Sequence, residues 1–351
     1  MNFSINIGFA KTREQHNMFI YNCISVLMTL EAIVEAIRTF PGVTRKKAVH
    51  EIVGSFSTKE FPRVAASEGE DAAAVEYGDD YILFAADGIM ESLVESDPFY
   101  AGYFAVLVNV NDIAAMGGRS LAMVDVLSLS KSRVCGEILK GMSTAVKKFN
   151  VPIVGGHTHP DCKYNAIDVS IIGTVPKTDI ILSSTAKDDD DILFIIDLDG
   201  FFPNSLKYAW DTTSKKDSSI VRAQMEVMST IASKHLADSA KDMSNPGCIG
   251  TLGMMLESSR KGGTVDINKI PIPKGVDLIQ WILSYQGCGF VIACSPKNSS
   301  EIISLFESVG CSGAIVGKID DTMELRLILD KESKVLFDFK KDIITGCSPK
   351  K

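Results

Sequence analysis

No run of apolar residues in this 351-residue chain is long enough to span a bilayer, and its eight cysteines include no CxxC pair. The first absence argues against a membrane-spanning helix, and the second against a zinc ribbon or a redox dithiol. No GxxxxGK[ST] loop occurs and no GxGxxG follows a strand-like run, so neither a Walker site nor a dinucleotide fingerprint is present. Positive charge is scarce: 36 Lys and Arg stand against 44 Asp and Glu, a formal net charge of −8. Nucleic-acid binding rests on phosphate neutralisation, so an acidic chain without a basic cluster is not expected to do it. The triplet 45-RKK-47 is too short to change this and reads as capping or solvated charge on a helix.

What is present suits two domains with real cores, since 46% of the residues are hydrophobic. The apolar stretch 18-MFIYNCISVLM-28 lacks a cationic flank and a cleavage site, so residues 1–40 read as an extension plus a helix capped at Thr29. A second short helix is expected at 44–56. Then come strand-length apolar runs at 81–87, 121–129, 151–156 and 166–175, with helical patterns at 98–117 and 134–149 between them. That order, βαβαββ, predicts an α/β domain with a mixed sheet over 41–180. The run Asp188–Asp191 reads as a solvated linker into a second α/β domain over 186–345. There, helices are expected at 218–238, 247–260 and 298–309, with strands at 288–294, 313–319 and 324–329. The thiols read as reduced and the protein as cytoplasmic, with no membrane partner. Cys135, Cys248, Cys288 and Cys311 read as structural, and Cys347, near the end, as a bystander.

Four segments of the first half set acids beside small residues: 69-GEDAAAV-75, 86-ADG-88, 108-VNVNDIAAMGG-118 and 155-GGHTHPD-161. Each has an ordinary explanation. Asp87-Gly88 and Gly155-Gly156 are turn signals, and Asp112 suits the cap of a helix beginning at Ile113. His157, His159 and Asp161 have the spacing of zinc ligands but lack an evident further one. Together the segments suggest hard oxygen ligands gathered at one sheet edge, with glycines that admit phosphates to backbone N–H groups. Asp112 poses the sharpest question, because an ionised carboxylate among Val108, Val110 and Ile113 needs a cation or several donors.

These segments resemble the ATP-binding superfamily of aminoimidazole ribonucleotide (AIR) synthetase, thiamine monophosphate kinase, selenophosphate synthetase and the hydrogenase-maturation dehydratase. GEDAAAV is similar to the kinase's GDDAAV, and VNVNDIAAMGG to the synthetase's MNVNDL. In the second half, 242-DMSNPGCIGTLGMMLESS-259 and 286-QGCGFVIACSP-296 fit the superfamily's glycine-rich patterns. Within it, 38-RTFPGVTRKKAVHEI-52 leading into GEDAAAV looks most like methanogenesis marker protein 2.

The resemblance implies an α/β (α+β), two-domain AIR synthase-like fold, with ATP and Mg²⁺ as cofactors and a small-molecule substrate. By the same resemblance, Glu70, Asp71, Asp87 and Asp112 are metal ligands. Gly69, Asn109, Asn111, Gly155, Gly156 and Thr158 contact nucleotide, and His157 joins Asp112 in catalysis. A homodimer through the N-terminal domain is implied as well, and exposed strand edges rich in Val, Ile and Leu ask for cover. The glycine-rich loop lacks the selenophosphate enzyme's cysteine, since 57-STKEFPRVAASEG-69 has none. A selenophosphate synthetase-like activity and a non-catalytic nucleotide-binding regulator or assembly protein are the alternatives.

Overall fold

A computed structural model describes residues 29–347, apart from 53–54, 57, 59, 131, 204–205, 286 and 288. The apolar stretch 18–28 and Cys288 fall outside the described residues. The chain opens with helices α1 (Leu30–Thr39), α2 (Pro41–Thr44) and α3 (Lys47–Ile52). The first domain follows as β1 (Val64–Ala66), β2 (Ala73–Tyr77), β3 (Asp80–Gly88), α4 (Glu91–Ser96), α5 (Pro98–Ala115), β4 (Arg119–Ser128), α6 (Ser132–Phe149), β5 (Ile153–His159) and β6 (Ala166–Pro176). Its six strands form one sheet in the order β1-β2-β3-β6-β4-β5. The β4–β5 pair is parallel and the remaining pairs antiparallel, the mixed sheet expected from the element order.

Alternation along β6 shows how this sheet is dressed. Ile167, Val169 and Ile171 are buried, whereas Asp168, Ser170 and Ile172 point to the other, exposed face. Helices α5 and α6 cover the buried face. They approach closely because each carries a glycine at the crossing: a Cβ on Gly102 would meet the Ile138 carbonyl at 2.1 Å, and one on Gly141 the Phe99 carbonyl at 2.0 Å. Helix α5 is capped by Asp97, whose side chain accepts from the Tyr100 N–H at 3.2 Å. Asp112 lies in its last turn, which rules out the expectation that Asp112 caps a helix of its own.

The second domain comprises β7 (Asp191–Ile196), α7 (Ser218–Ser233), β8 (Ser239–Asp242), α8 (Gly247–Ser259), β9 (Gly262–Asp266), α9 (Leu278–Ile282), β10 (Gly289–Cys294), α10 (Ser299–Glu307), β11 (Ser312–Asp320), β12 (Glu324–Leu329) and β13 (Glu332–Asp338). Its seven strands run in the order β13-β12-β9-β11-β7-β10-β8. Strands β7 and β10 are buried along their whole length, consistent with unbroken apolar runs covered on both faces. Helix α1 belongs to this domain: Leu30, Ile33, Val34 and Ile37 enter its core beside Leu336 and Phe337, and Arg38 pairs with Asp342 at 2.9 Å.

The acidic run 188–191 is only half solvated, a correction to its reading as a linker. Asp188 pairs with Lys261 at 2.7 Å, while Asp190 and Asp191 are buried. Asp191 begins β7 and takes the Ser299 hydroxyl at 2.7 Å and Lys318 at 3.1 Å. The strand must enter the core there, and partners on α10 and β11 make that possible. No helix among the described residues is long and apolar enough to cross a membrane.

A candidate metal and nucleotide site between the domains

Three of the four acidic segments meet in a cavity of about 680 Å³ between the two domains. Glu70 and Asp71 precede β2, Asp87 is the next-to-last residue of β3, and Asp112 lies in the last turn of α5. All four line the cavity, with Gly69 and Asn111 beside them. The second domain contributes what the sequence reading missed, Lys241 and Asp242 at the end of β8. Asp242 stood inside a quoted motif, but SAKD is too short and too polar to read as a buried strand. Its four side chains are nevertheless all buried, because α5 packs against β8. Lys46, from the triplet assigned to a solvated helix, also lines the cavity, a second correction.

Asp71, Asp112 and Asp242 each offer a carboxylate oxygen within 4.8 Å of the others, the metal-ligand cluster found among the described residues. Asp71 is compensated directly: it accepts from Lys241 Nζ and from the Asp242 N–H, the latter at 3.2 Å. Lys241 also reaches the Gly69 carbonyl at 3.3 Å. Burial works against the Lys241 charge, but Asp71 and its acidic neighbours outweigh it and hold the ammonium protonated. Among the described residues Asp112 has no ion-pair partner of its own. Burial raises its pKa well above the usual range, and Asp87, Asp242 and Asp71 push it further. The last turn of a helix, with its negative dipole end, is also a poor place for an anion. Burial raises Asp87 too; Lys46 opposes this, as does a side-chain hydrogen bond with Asp112, which requires a proton between the two acids. Asp242 is pushed up to about 8, by burial and then by Asp71. In the chain alone, protons and two lysines therefore balance the acids.

A divalent cation fits this donor set. Hard carboxylate oxygens are its preferred ligands, and two further oxygens in the lining, Asn111 Oδ1 and Asn245 Oδ1, are buried without a hydrogen-bond partner. Asn111 is held by its Nδ2, which donates to the Gly287 carbonyl at 3.0 Å. Asn109 is buried two residues earlier on the same helix, its Nδ2 donating to the Ala105 carbonyl at 2.8 Å, and is not in the lining. Glu70 lines the cavity but accepts from the Ser183 N–H and is outside the three-acid cluster.

The fourth segment lies elsewhere. Gly155, Gly156, His157 and Thr158 sit exposed on edge strand β5 and are not in the cavity lining of this chain. The His157 and His159 rings lie 4.5 Å apart, with no third ligand completing a cluster among the described residues. Cys347, expected to be a bystander, lines the cavity. Its place is fixed by Glu257, whose carboxylate accepts from the Ile344, Thr345 and Gly346 N–H groups at 2.9, 2.8 and 3.3 Å. Gly69, at φ +98°, leaves room for it, since a Cβ there would meet the Cys347 Cβ at 2.7 Å. Burial pushes the Cys347 thiol up, and Cys248 and Cys294 are buried and pushed to about 12, the behaviour of inert core thiols.

Two α/β domains enclosing a cavity with a buried acidic cluster define the class of protein to which this chain belongs. The chain belongs to the AIR synthase related family: residues 69–175 match its N-terminal domain and 195–330 its C-terminal domain. It is 46% identical over 330 residues to an uncharacterized protein of Methanocaldococcus jannaschii, covering 91% of this chain and all of that one. It is 24% identical to a phosphoribosylformylglycinamidine cyclo-ligase of Methanococcus vannielii, covering 80% of this chain and 89% of the other. In fold it is similar to the Thermotoga maritima PurL complexed with ADP, with a TM-score of 0.69 at 16% identity. The match covers 88% of this chain and 52% of PurL, so this chain spans about half of PurL's length.

Proposed function

We propose that this chain is an ATP- and Mg²⁺-dependent enzyme that phosphorylates or otherwise activates a small molecule. The observation that carries this reading is the buried cluster of Asp71, Asp112 and Asp242. Five acids and three lysines line the cavity, and cations that replace the protons on the acids would add the positive charge that an anionic nucleotide needs there. Asp71, Asp112 and Asp242 would hold Mg²⁺, with Asp87 hydrogen-bonded behind Asp112 and Glu70 bracing the loop. Bound there, Mg²⁺ supplies charge neutralisation for phosphoryl transfer. The protein's own part is positioning: Lys241 fixes Asp71, and Asn111 presents a free oxygen. Family membership supports ATP as the nucleotide, and the resemblance to methanogenesis marker protein 2 leaves the acceptor unnamed.

The roles of Gly155, Gly156 and Thr158 as nucleotide contacts, of Asn109 in positioning, and of His157 in catalysis rest on the family resemblance. For the β5 residues they require a second copy, because one chain keeps them outside the cavity. A homodimer across the outer face of the first sheet is part of the proposal. Phe84, Val124, Val126 and Ile172 are 37–46% exposed there, and His157 pairs in register with Val126. Free thiols and the absence of a spanning helix among the described residues are compatible with a cytoplasmic enzyme.

The test is ATP hydrolysis with and without Mg²⁺ in wild type and Asp112→Asn. Turnover should need Mg²⁺ and fall at least about a hundredfold in the variant, whose folded stability is unchanged or raised because a buried acid crowded by other acids is gone. Wild-type turnover by Asp112→Asn would overturn the assignment.

A further inference from the structure

Of the two lysines closest to the acids, Lys241 is committed to Asp71 and the Gly69 carbonyl, while Lys46 makes no ion pair among the described residues. We propose that Lys46 is the seat of an anionic acceptor: the cavity takes a small molecule bearing a carboxylate or phosphate, and that oxyanion pairs with Lys46. The inference rests on the metal reading above and deepens it.

Lys46 now feels Asp87, Asp242 and Asp112 as compensating charge, against the opposing effects of burial and of Lys241. Two of those three acids belong to the metal cluster. Once a divalent cation takes their charge, the Lys46 ammonium faces a like charge from within a half-buried wall and has no carboxylate of its own. An oxyanion lying between Lys46 and the metal relieves both, and charge-assisted pairing is strong where water is excluded. Val49, Ile89, Met90 and Leu93 line the same cavity, so the body of the acceptor meets apolar surface.

In the chain, Lys46 precedes residues 69–175, the part matched by the family's N-terminal domain, and it reaches the cavity from the segment that leads into the acidic GEDAAAV stretch.

Calorimetric titration of the full-length protein loaded with Mg²⁺ and ADP, with inorganic phosphate and acetate as separate probes, tests this. Wild type should bind at least one of them, and which one binds tells phosphate from carboxylate. Lys46→Gln should weaken that anion at least about tenfold while Mg²⁺–ADP affinity stays within about threefold, and Lys46→Arg should keep most of the anion affinity. Circular dichroism confirms that both variants fold. The proposal is overturned if neither anion binds wild type, if Lys46→Gln binds it unchanged, or if Lys46→Gln weakens Mg²⁺–ADP as much as the anion. Absence of any Mg²⁺-dependent ADP binding by wild type would instead remove the metal reading, and this proposal with it.

Discussion

Asp71→Asn and Asp112→Asn make the same exchange of carboxyl for amide in one cluster, yet their neighbours make the outcomes differ. Burial and the charges of Asp87, Asp242 and Asp71 outweigh that of Lys241 at Asp112, so its replacement relieves the folded state. Asp71 is the partner of the buried Lys241, and its loss strands an ammonium. Asp71→Asn should therefore cost about 3 kcal/mol of unfolding free energy in urea titration, whereas Asp112→Asn costs none. Equal stability in both variants would refute the pairing. A second residue-scale prediction concerns Asp190, which burial pushes from 3.8 to about 6. Its folded form holds a proton to higher pH than the unfolded chain does. The stabilising contribution is thus complete below the ordinary carboxyl range and is lost as pH rises through about 6. Melting temperatures of wild type and Asp190→Asn, followed across that window, should diverge in slope, with wild type losing stability relative to the variant as pH rises. Parallel curves would contradict the shift.

Helix α5 is the element on which the site depends, since it delivers Asn111 and Asp112 from a turn pressed between the domains. Its seating against α6 relies on two glycines facing backbone carbonyls across the crossing. A methyl at Gly141 must push α6 away from Phe99, and over-packing of this kind costs about 1–3 kcal/mol. Gly141→Ala should lower stability by that amount and weaken Mg²⁺–nucleotide binding through displacement of α5. Wild-type stability and affinity in Gly141→Ala would show that the crossing tolerates the added volume. Strand β8 contributes equally to the site from the other domain, although four residues with a lysine and an aspartate give no periodic signal.

The whole molecule carries an unbalanced surface. One face of the first sheet is covered by α5 and α6, and the other leaves Phe84 beside Ile172 and Val124 beside Ser170 in register, open to solvent. Exposed apolar faces of this kind are covered by a partner in stable proteins. Light scattering should report a dimer for wild type. Val124→Asp combined with Phe84→Asp should give a folded monomer, since both side chains lie outside the domain's own core. A wild-type monomer at micromolar concentration would contradict the dimer.

The sequence by itself determined most of the first domain, because strand runs such as 81–87 and 166–175 and the helical pattern at 98–117 are long enough for their periods to be decisive. It also marked Asp112 as a carboxylate in apolar text that needs a cation or several donors, and Asp71 and Asp87 as acids set beside small residues. What it left open was everything set by contact across the cleft. Whether Lys46 faced solvent or acids, whether Asp190 and Asp191 were linker or strand entry, and whether Cys347 was remote or in the cavity wall all depend on where a distant segment packs. Lys241 and Asp242 show the reason most plainly. A charge is expensive to bury only relative to its partners, and those partners are 170 residues away from Lys241 in the case of Asp71. Only the tertiary structure brings them together.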